Sequence, residues 1–88
     1  MTEKNVTVAN SLGIHARPAS MIVQAAIAFQ SSVQLFKDGA AADAKSIMSV
    51  MMLAAAQGSV VTVKAAGEDE AKAVDAIIEL FNKKFNEE

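Results

Sequence analysis

Two patterns of hydrophobic spacing divide this chain. A period of two, the mark of a half-buried strand, runs through residues 5–10, where Val6 and Val8 face one way. It returns at residues 33–36 and most clearly at 60–65. A helical period occupies residues 16–29, where Ala19, Ile22, Ala26 and Phe29 form one stripe with Val23 and Ile27 beside it. Ser20, Gln24 and Ser31 mark the narrow opposite face. A shorter helix is predicted over 47–55, with Ile47, Val50, Met51 and Ala54 as its buried side and Met48, Ser49 and Met52 turned elsewhere. The last helix follows Gly67-Glu68-Asp69-Glu70 and carries Ala71, Val74, Ile78, Phe81 and Phe85 as its stripe.

The boundaries carry their own chemistry. Asp38-Gly39 between two alternating runs signals a two-residue hairpin, because a type I′ turn needs positive φ at both centres. The returning strand, residues 40–44, is alanine-rich and reads as an edge. Ser46 can cap the short helix. Acidic residues open the last helix, and Lys83 and Lys84 lie near its negative end, as the macrodipole favours. The order β-α-β-β-α-β-α predicts an α+β fold: a split βαβ arrangement whose mostly antiparallel sheet carries the helices on one face.

Composition narrows the function classes. With 88 residues, 52% of them hydrophobic, the chain is expected to fold as one domain over 1–88. A net charge of −2 without a basic run argues against a nucleic-acid binder. The absence of cysteine removes disulfides, thiol catalysis and thiolate metal sites. Residues 1–5 carry no apolar signal region, and the longest apolar run, 47–56, is too short to span a bilayer. A cytoplasmic protein without membrane insertion is expected.

Leu12-Gly13-Ile14-His15-Ala16-Arg17-Pro18-Ala19 contains the only histidine, the only arginine and the only proline of the chain. A lone histidine beside a helix start is most often an ordinary surface residue. Three features oppose that reading here. Gly13 and Pro18 set a tight loop-to-helix turn. The helix N-terminus presents amides, those of Ala16 and Arg17 among them, that bind anions. No acidic side chain lies between Lys4 and Lys37, a span of 32 residues. Neutral imidazole is a competent nucleophile near neutrality, and Arg17 can grip a phosphate with charge-assisted hydrogen bonds. His15 is therefore the candidate phosphoryl acceptor. Proline disfavours the α region in the residue before it, which leaves His15, Ala16 and Arg17 all open as the N-cap.

Other chemistries fit less well. One histidine cannot make a metal site, no nucleophile elbow is present, and the four glycines form no phosphate-binding loop, so the phosphate should arrive from another protein and no cofactor is needed. Ser46 reads first as a cap and second as a regulatory phosphorylation site, since a phosphate at a helix start is stabilised by amides and dipole. A short helix cannot bury all of Ile47, Met48, Val50, Met51, Met52 and Leu53, so part of this set is expected to be exposed as adaptable contact surface.

The residues Gly13-Ile14-His15-Ala16-Arg17-Pro18-Ala19 resemble the active-site signature of the HPr family, the histidine-containing phosphocarriers of the phosphoenolpyruvate:sugar phosphotransferase system. Lys45-Ser46-Ile47-Met48 with Val50-Met51 resembles the family's regulatory serine segment, and Gly67-Glu68-Asp69-Glu70 the turn before its last helix. The likeness runs from the first strand to about Leu80. It implies an open-faced β-sandwich of four antiparallel strands and three helices. It further implies a phosphocarrier, not an enzyme in its own right: enzyme I phosphorylates His15 on Nδ1, giving a pros-phosphohistidine, and the group passes to sugar-specific IIA domains. Arg17 would clamp the phosphate. The partner surface would comprise Ser20, Gln24, Ile47, Met48, Met51 and Met52, on a protein acting as a monomer. Ser46 would be the target of an HPr kinase/phosphorylase. The alternatives are a regulatory module acting on a transcription regulator through phosphorylated Ser46, and a nitrogen-branch paralogue. Leu12 stands where the family commonly has a small polar residue, and Ser49 where glycine is frequent.

Overall fold

The computed structural model describes residues 1–86. In chain order it contains strand β1 (Thr2–Thr7), helix α1 (Ala16–Ile27), strands β2 (Ser32–Lys37) and β3 (Ala40–Asp43), helix α2 (Ile47–Met52), strand β4 (Val60–Ala66) and helix α3 (Glu70–Asn82). A short 3₁₀ turn follows at Lys84–Asn86. The strands form one antiparallel sheet in the order β1-β4-β2-β3, and the three helices cover one of its faces. This is the open-faced sandwich expected from the sequence, with the alanine-rich strand at an edge. The hairpin also forms as expected: Asp38 and Gly39 have φ of 49° and 83°, the two positive values a type I′ turn requires.

Alternation decides which sheet residues meet the helices. Val61, Val63 and Ala65 of β4, Val33 and Leu35 of β2, and Ala42 of β3 are buried in one layer. Ala19, Ile22 and Ala26 of α1 pack onto that layer, along with Val50 and, from α3, Ala73, Val74, Ile77 and Phe81. Small alanines let α1 and α3 come close, so few large side chains suffice to fill the core. Phe85 adds a fully buried ring beyond α3, set edge-on to Phe81 with centroids 4.9 Å apart. Such a pair contributes about 0.5–1.5 kcal/mol beyond the area it buries.

Three sequence expectations are corrected. In α2 the core side is Val50, continued by Leu53, while Ile47, Met51 and Ala54 are exposed. Six residues make fewer than two turns, and the phase is set by the buried alanines on either side, Ala44 and Ala55, more than by any stripe in the helix. In α3 the buried stripe runs through Ala73, Val74 and Ile77, whereas Ala71 is exposed and Ile78 only half-buried. Both stripes obey helical spacing, and the Lys4–Asp75 contact (2.7 Å) is made on the observed rotation. Ser31 does not lie on a solvent face with Ser20 and Gln24; it is buried.

Ser31 is buried because it serves the start of α3. Asp69 accepts hydrogen bonds from the Ser31 hydroxyl, the Gln30 amide (3.0 Å) and the Ser31 amide (3.0 Å). These donors, the Ser31 hydroxyl foremost and then the Gln30 amide, hold the Asp69 carboxyl at about 2, below its ordinary 3.8. A depressed carboxyl contributes stability above its unfolded pKa and loses that contribution as pH falls through its folded one. Acid titration of urea midpoints is therefore expected to show stability draining away between about pH 4 and pH 2. Asp69→Asn should make that part of the curve shallower, leaving the share of Glu70, which the N-terminal amine foremost and then Thr2 also hold at about 2. An identical acid limb in the variant would exclude Asp69 as its source.

Candidate functional site

The loop between β1 and α1 is tied down residue by residue. Val8 exchanges two backbone bonds with the turn before β4, accepting from Gly58 (2.9 Å) and donating to Ser59 (2.9 Å). Asn10 is fully buried, and its Nδ2 donates to the Gly13 carbonyl at 2.7 Å. The Gly13 amide returns a bond to the Asn10 carbonyl at 3.1 Å. Gly13 adopts φ +69° and presses its bare Cα against the Ala55-Ala56 backbone, where an added Cβ would lie 2.6 Å from the Ala55 carbonyl oxygen. Ile14 then donates its amide to that same oxygen at 2.9 Å and buries its side chain.

His15 emerges from this framework as the N-cap of α1, with φ −95° and ψ −165°. Its carbonyl accepts the first helical bond, from Ala19 at 2.9 Å. The open question of the N-cap is thus resolved in favour of His15. Its imidazole makes no capping bond to the helix and is half-buried, at the positive end of the dipole. Ala16, Arg17 and Pro18 form the first turn, where the helix supplies no acceptor for any amide, so the missing N–H of Pro18 costs no helical bond. Pro18 is buried, and Arg17 lies within the helix although the residue before a proline normally avoids it.

Arg17 holds a partner the sequence gave no sign of. Its Nη1 donates to the Phe85 carbonyl at 2.8 Å. Phe85 belongs to a left-handed turn in which Lys84, Phe85 and Asn86 have φ of 53°, 53° and 60°. A run of three such residues has no local sequence signature, so neither the turn nor its contact with a residue 68 positions earlier was legible in advance.

Ser46 is the N-cap of α2, its hydroxyl accepting from the Ser49 amide at 3.4 Å and its carbonyl from Val50 at 3.1 Å. Helix α2 runs about 9 Å from this cap toward Ala55, the residue against which the His15 loop docks. Between the two, Met48 and Met52 are 70% and 79% exposed, and Ile47 and Met51 about 40%. Leu12, on the His15 loop, is 73% exposed. On α1, Gln24 is exposed and Ser20 half-buried, and α1 and α2 are in contact. The structure thus joins His15 and the methionine-rich helix through the Gly13–Ala55 contact, with Arg17 directed to the C-terminal turn. Lys37 closes the far end of α2 by donating to the carbonyls of Leu53 (3.3 Å) and Ala54 (3.2 Å). Among the described residues no group of three or more His, Asp or Glu side chains could hold a metal, and no helix is long and apolar enough to cross a membrane.

Comparison with known proteins agrees with this arrangement. Residues 2–83 match the family model described as the PTS HPr component phosphorylation site. The chain is 49% identical over 88 residues to the phosphocarrier protein HPr of Xylella fastidiosa (strain Temecula1), spanning all of this chain and 99% of that protein. It is likewise 49% identical over 88 residues to the phosphocarrier protein HPr of Treponema pallidum, spanning the whole of both. Among solved structures, HPr-C-His from Thermoanaerobacter tengcongensis superposes with a TM-score of 0.96 at 43% identity, over all of this chain and 99% of that one. With the fold, the loop geometry and the full-length likeness in agreement, the chain belongs to the HPr family of phosphocarrier proteins of the phosphotransferase system.

Proposed function

We propose that His15 accepts a phosphoryl group from phosphorylated enzyme I and passes it to sugar-specific IIA domains. The observation that carries this reading is the place of the chain's only histidine, the N-cap of α1 beside the amides of the first turn. The Nδ1 lone pair of the neutral ring attacks phosphorus; the N–P bond forms as the donor's bond to phosphorus breaks, and the donor keeps that electron pair. The reverse exchange, onto an acceptor on the IIA domain, regenerates the ring. No electron is gained or lost overall and no cofactor enters. The Ala16 and Arg17 amides and the Arg17 guanidinium offer the charge compensation that a bound phosphoryl group demands. Ser20, Gln24, Ile47, Met48, Met51 and Met52 form the docking surface, and the protein works as a cytoplasmic monomer, one domain over 1–88.

Incubation with phosphoenolpyruvate and enzyme I is expected to give an acid-labile, alkali-stable phosphate that His15→Ala lacks. No label, or label surviving the substitution, would refute the reading.

Ser46 is the proposed regulatory site, modified by a kinase that uses ATP. A phosphate there sits at the start of α2 beside Ile47 and Met48, so it adds charge to an apolar docking surface without breaking the cap. Aspartate is itself a good N-cap, so Ser46→Asp should leave the urea midpoint unchanged. It should slow phosphorylation of His15 by roughly tenfold, the equivalent of about 1.4 kcal/mol of docking energy. Equal rates for variant and parent would separate the two sites. A protein acting only through Ser46 in transcriptional control would have no use for His15, and label on His15 from enzyme I discriminates the two roles.

A further inference from the structure

We infer that Asn10 is the positioning residue of the phosphoryl acceptor, an assignment that rests on the reading of His15 given above. The peptide group between Gly13 and Ile14 is held at both ends. Its carbonyl oxygen accepts from Asn10 Nδ2 at 2.7 Å, and its N–H donates to the Ala55 carbonyl at 2.9 Å. One planar unit with both polar atoms engaged, from opposite sides of the loop, has no freedom to rotate. The next Cα belongs to Ile14, whose side chain is buried, and the one after it to His15. The acceptor ring is therefore suspended from a fixed plane two residues away.

The two clamps differ in kind. The Ala55 oxygen belongs to the backbone after α2 and comes with the fold. The Asn10 amide is a side chain, fully buried, and is one of only two buried polar residues among those described. Placing an amide there has a desolvation cost that a leucine or valine would avoid, and the bond from Nδ2 to Gly13 offsets only part of it. The orientation of that amide is unambiguous, since only its nitrogen can face a carbonyl. Leu12, next to Gly13 in the chain, points to solvent, and the side-chain tie to the Gly13 carbonyl comes from Asn10. Phosphoryl transfer depends on the acceptor lying near its attack position, and a misplacement of about 1 Å costs on the order of 10²-fold in rate.

Single-turnover transfer from phosphorylated enzyme I tests the assignment, with wild type, Asn10→Ala and the isosteric Asn10→Asp compared at pH 7. Both variants remove the donor, and the second keeps the side-chain shape. Each is expected to fold by far-UV circular dichroism and to lose roughly 10- to 100-fold in maximal transfer rate. The concentration at half-maximal rate should move less than about twofold, because the docking surface is untouched. Amide exchange at Ile14 should quicken while that at Ala19, inside α1, holds. Wild-type transfer by either folded variant overturns the assignment, and so does a loss confined to the half-maximal concentration. Failure of both variants to fold would make Asn10 a folding residue and overturn it equally. A wild-type protein that takes no phosphate would instead refute the acceptor reading itself.

Discussion

Gly13→Ala is expected to lower stability by about 2–4 kcal/mol and to disable phosphoryl acceptance at His15. Two separate costs combine. The backbone at φ +69° is disfavoured for any residue with a Cβ. The new methyl would also lie 2.6 Å from the Ala55 carbonyl oxygen and 3.0 Å from the Ala56 Cα, both backbone atoms that cannot swing aside. Relief requires the loop to back away from the segment after α2, which breaks the Ile14–Ala55 bond and moves His15 with it. Gly39→Ala is the control. Gly39 has φ +83° but nothing within 4 Å of the added methyl, so only the conformational cost applies, about 1 kcal/mol. Urea midpoints for the two variants, with transfer rates measured on the folded fraction, check the prediction. Similar destabilisation of both would show that the close approach at Ala55 carries no weight.

The contrast between these two glycines also marks what a sequence can disclose. Gly39 follows Asp38 between two alternating runs, and that local pattern is sufficient to predict the hairpin and both positive φ angles. Gly13 reads locally as loop chemistry; that its Cα touches Ala55 depends on a contact between segments more than 40 residues apart. The same division holds for the helices. Their existence follows from spacing, but the burial of Ala73 and Ile77 in place of Ala71 and Ile78 depends on which rotation the sheet accepts. In α2 nearly every side is apolar, so no stripe exists to choose, and the exposed methionines emerge only when the flanking alanines are seen to be buried. His15 stood out as a candidate because it combines rare chemistry with a helix start, and the fold places it at that helix's N-cap. Asn10 and Ser31 did not stand out, since a polar residue beside a strand or after a helix looks the same whether it faces water or a buried carbonyl or carboxylate. Leu12, conspicuous as a departure in sequence, proves to be exposed, and the side-chain tie to the Gly13 carbonyl comes from Asn10.

Arg17→Ala is expected to slow phosphoryl acceptance by about 10²- to 10³-fold, the loss typical of removing one preorganised donor from a developing anion. The side chain now binds the Phe85 carbonyl at 2.8 Å, a charged donor on a neutral acceptor. A phosphoryl group on His15 brings about −1.5 to −2 charges and three acceptor oxygens, and hydrogen bonds between charged partners are roughly twice as strong as neutral ones. The guanidinium should therefore exchange the carbonyl for the phosphate when the group arrives. The Phe85 ring is anchored independently of this bond, edge-on to Phe81, so the exchange leaves the core packing in place. The bond has a charged donor, so its loss should lower stability by about 1–3 kcal/mol, and the rate effect is read on the folded fraction. Arg17→Lys should recover only part of the rate, since an ammonium lacks the fork that meets two phosphate oxygens at once. The Asn86 amide shares a peptide group with the Phe85 carbonyl, and its NMR resonance should shift on phosphorylation of the wild type but not of Arg17→Ala. A shift of equal size in the variant would place the rearrangement elsewhere. Arg17→Ala transferring at the wild-type rate would leave compensation of the phosphoryl charge to the helix amides alone.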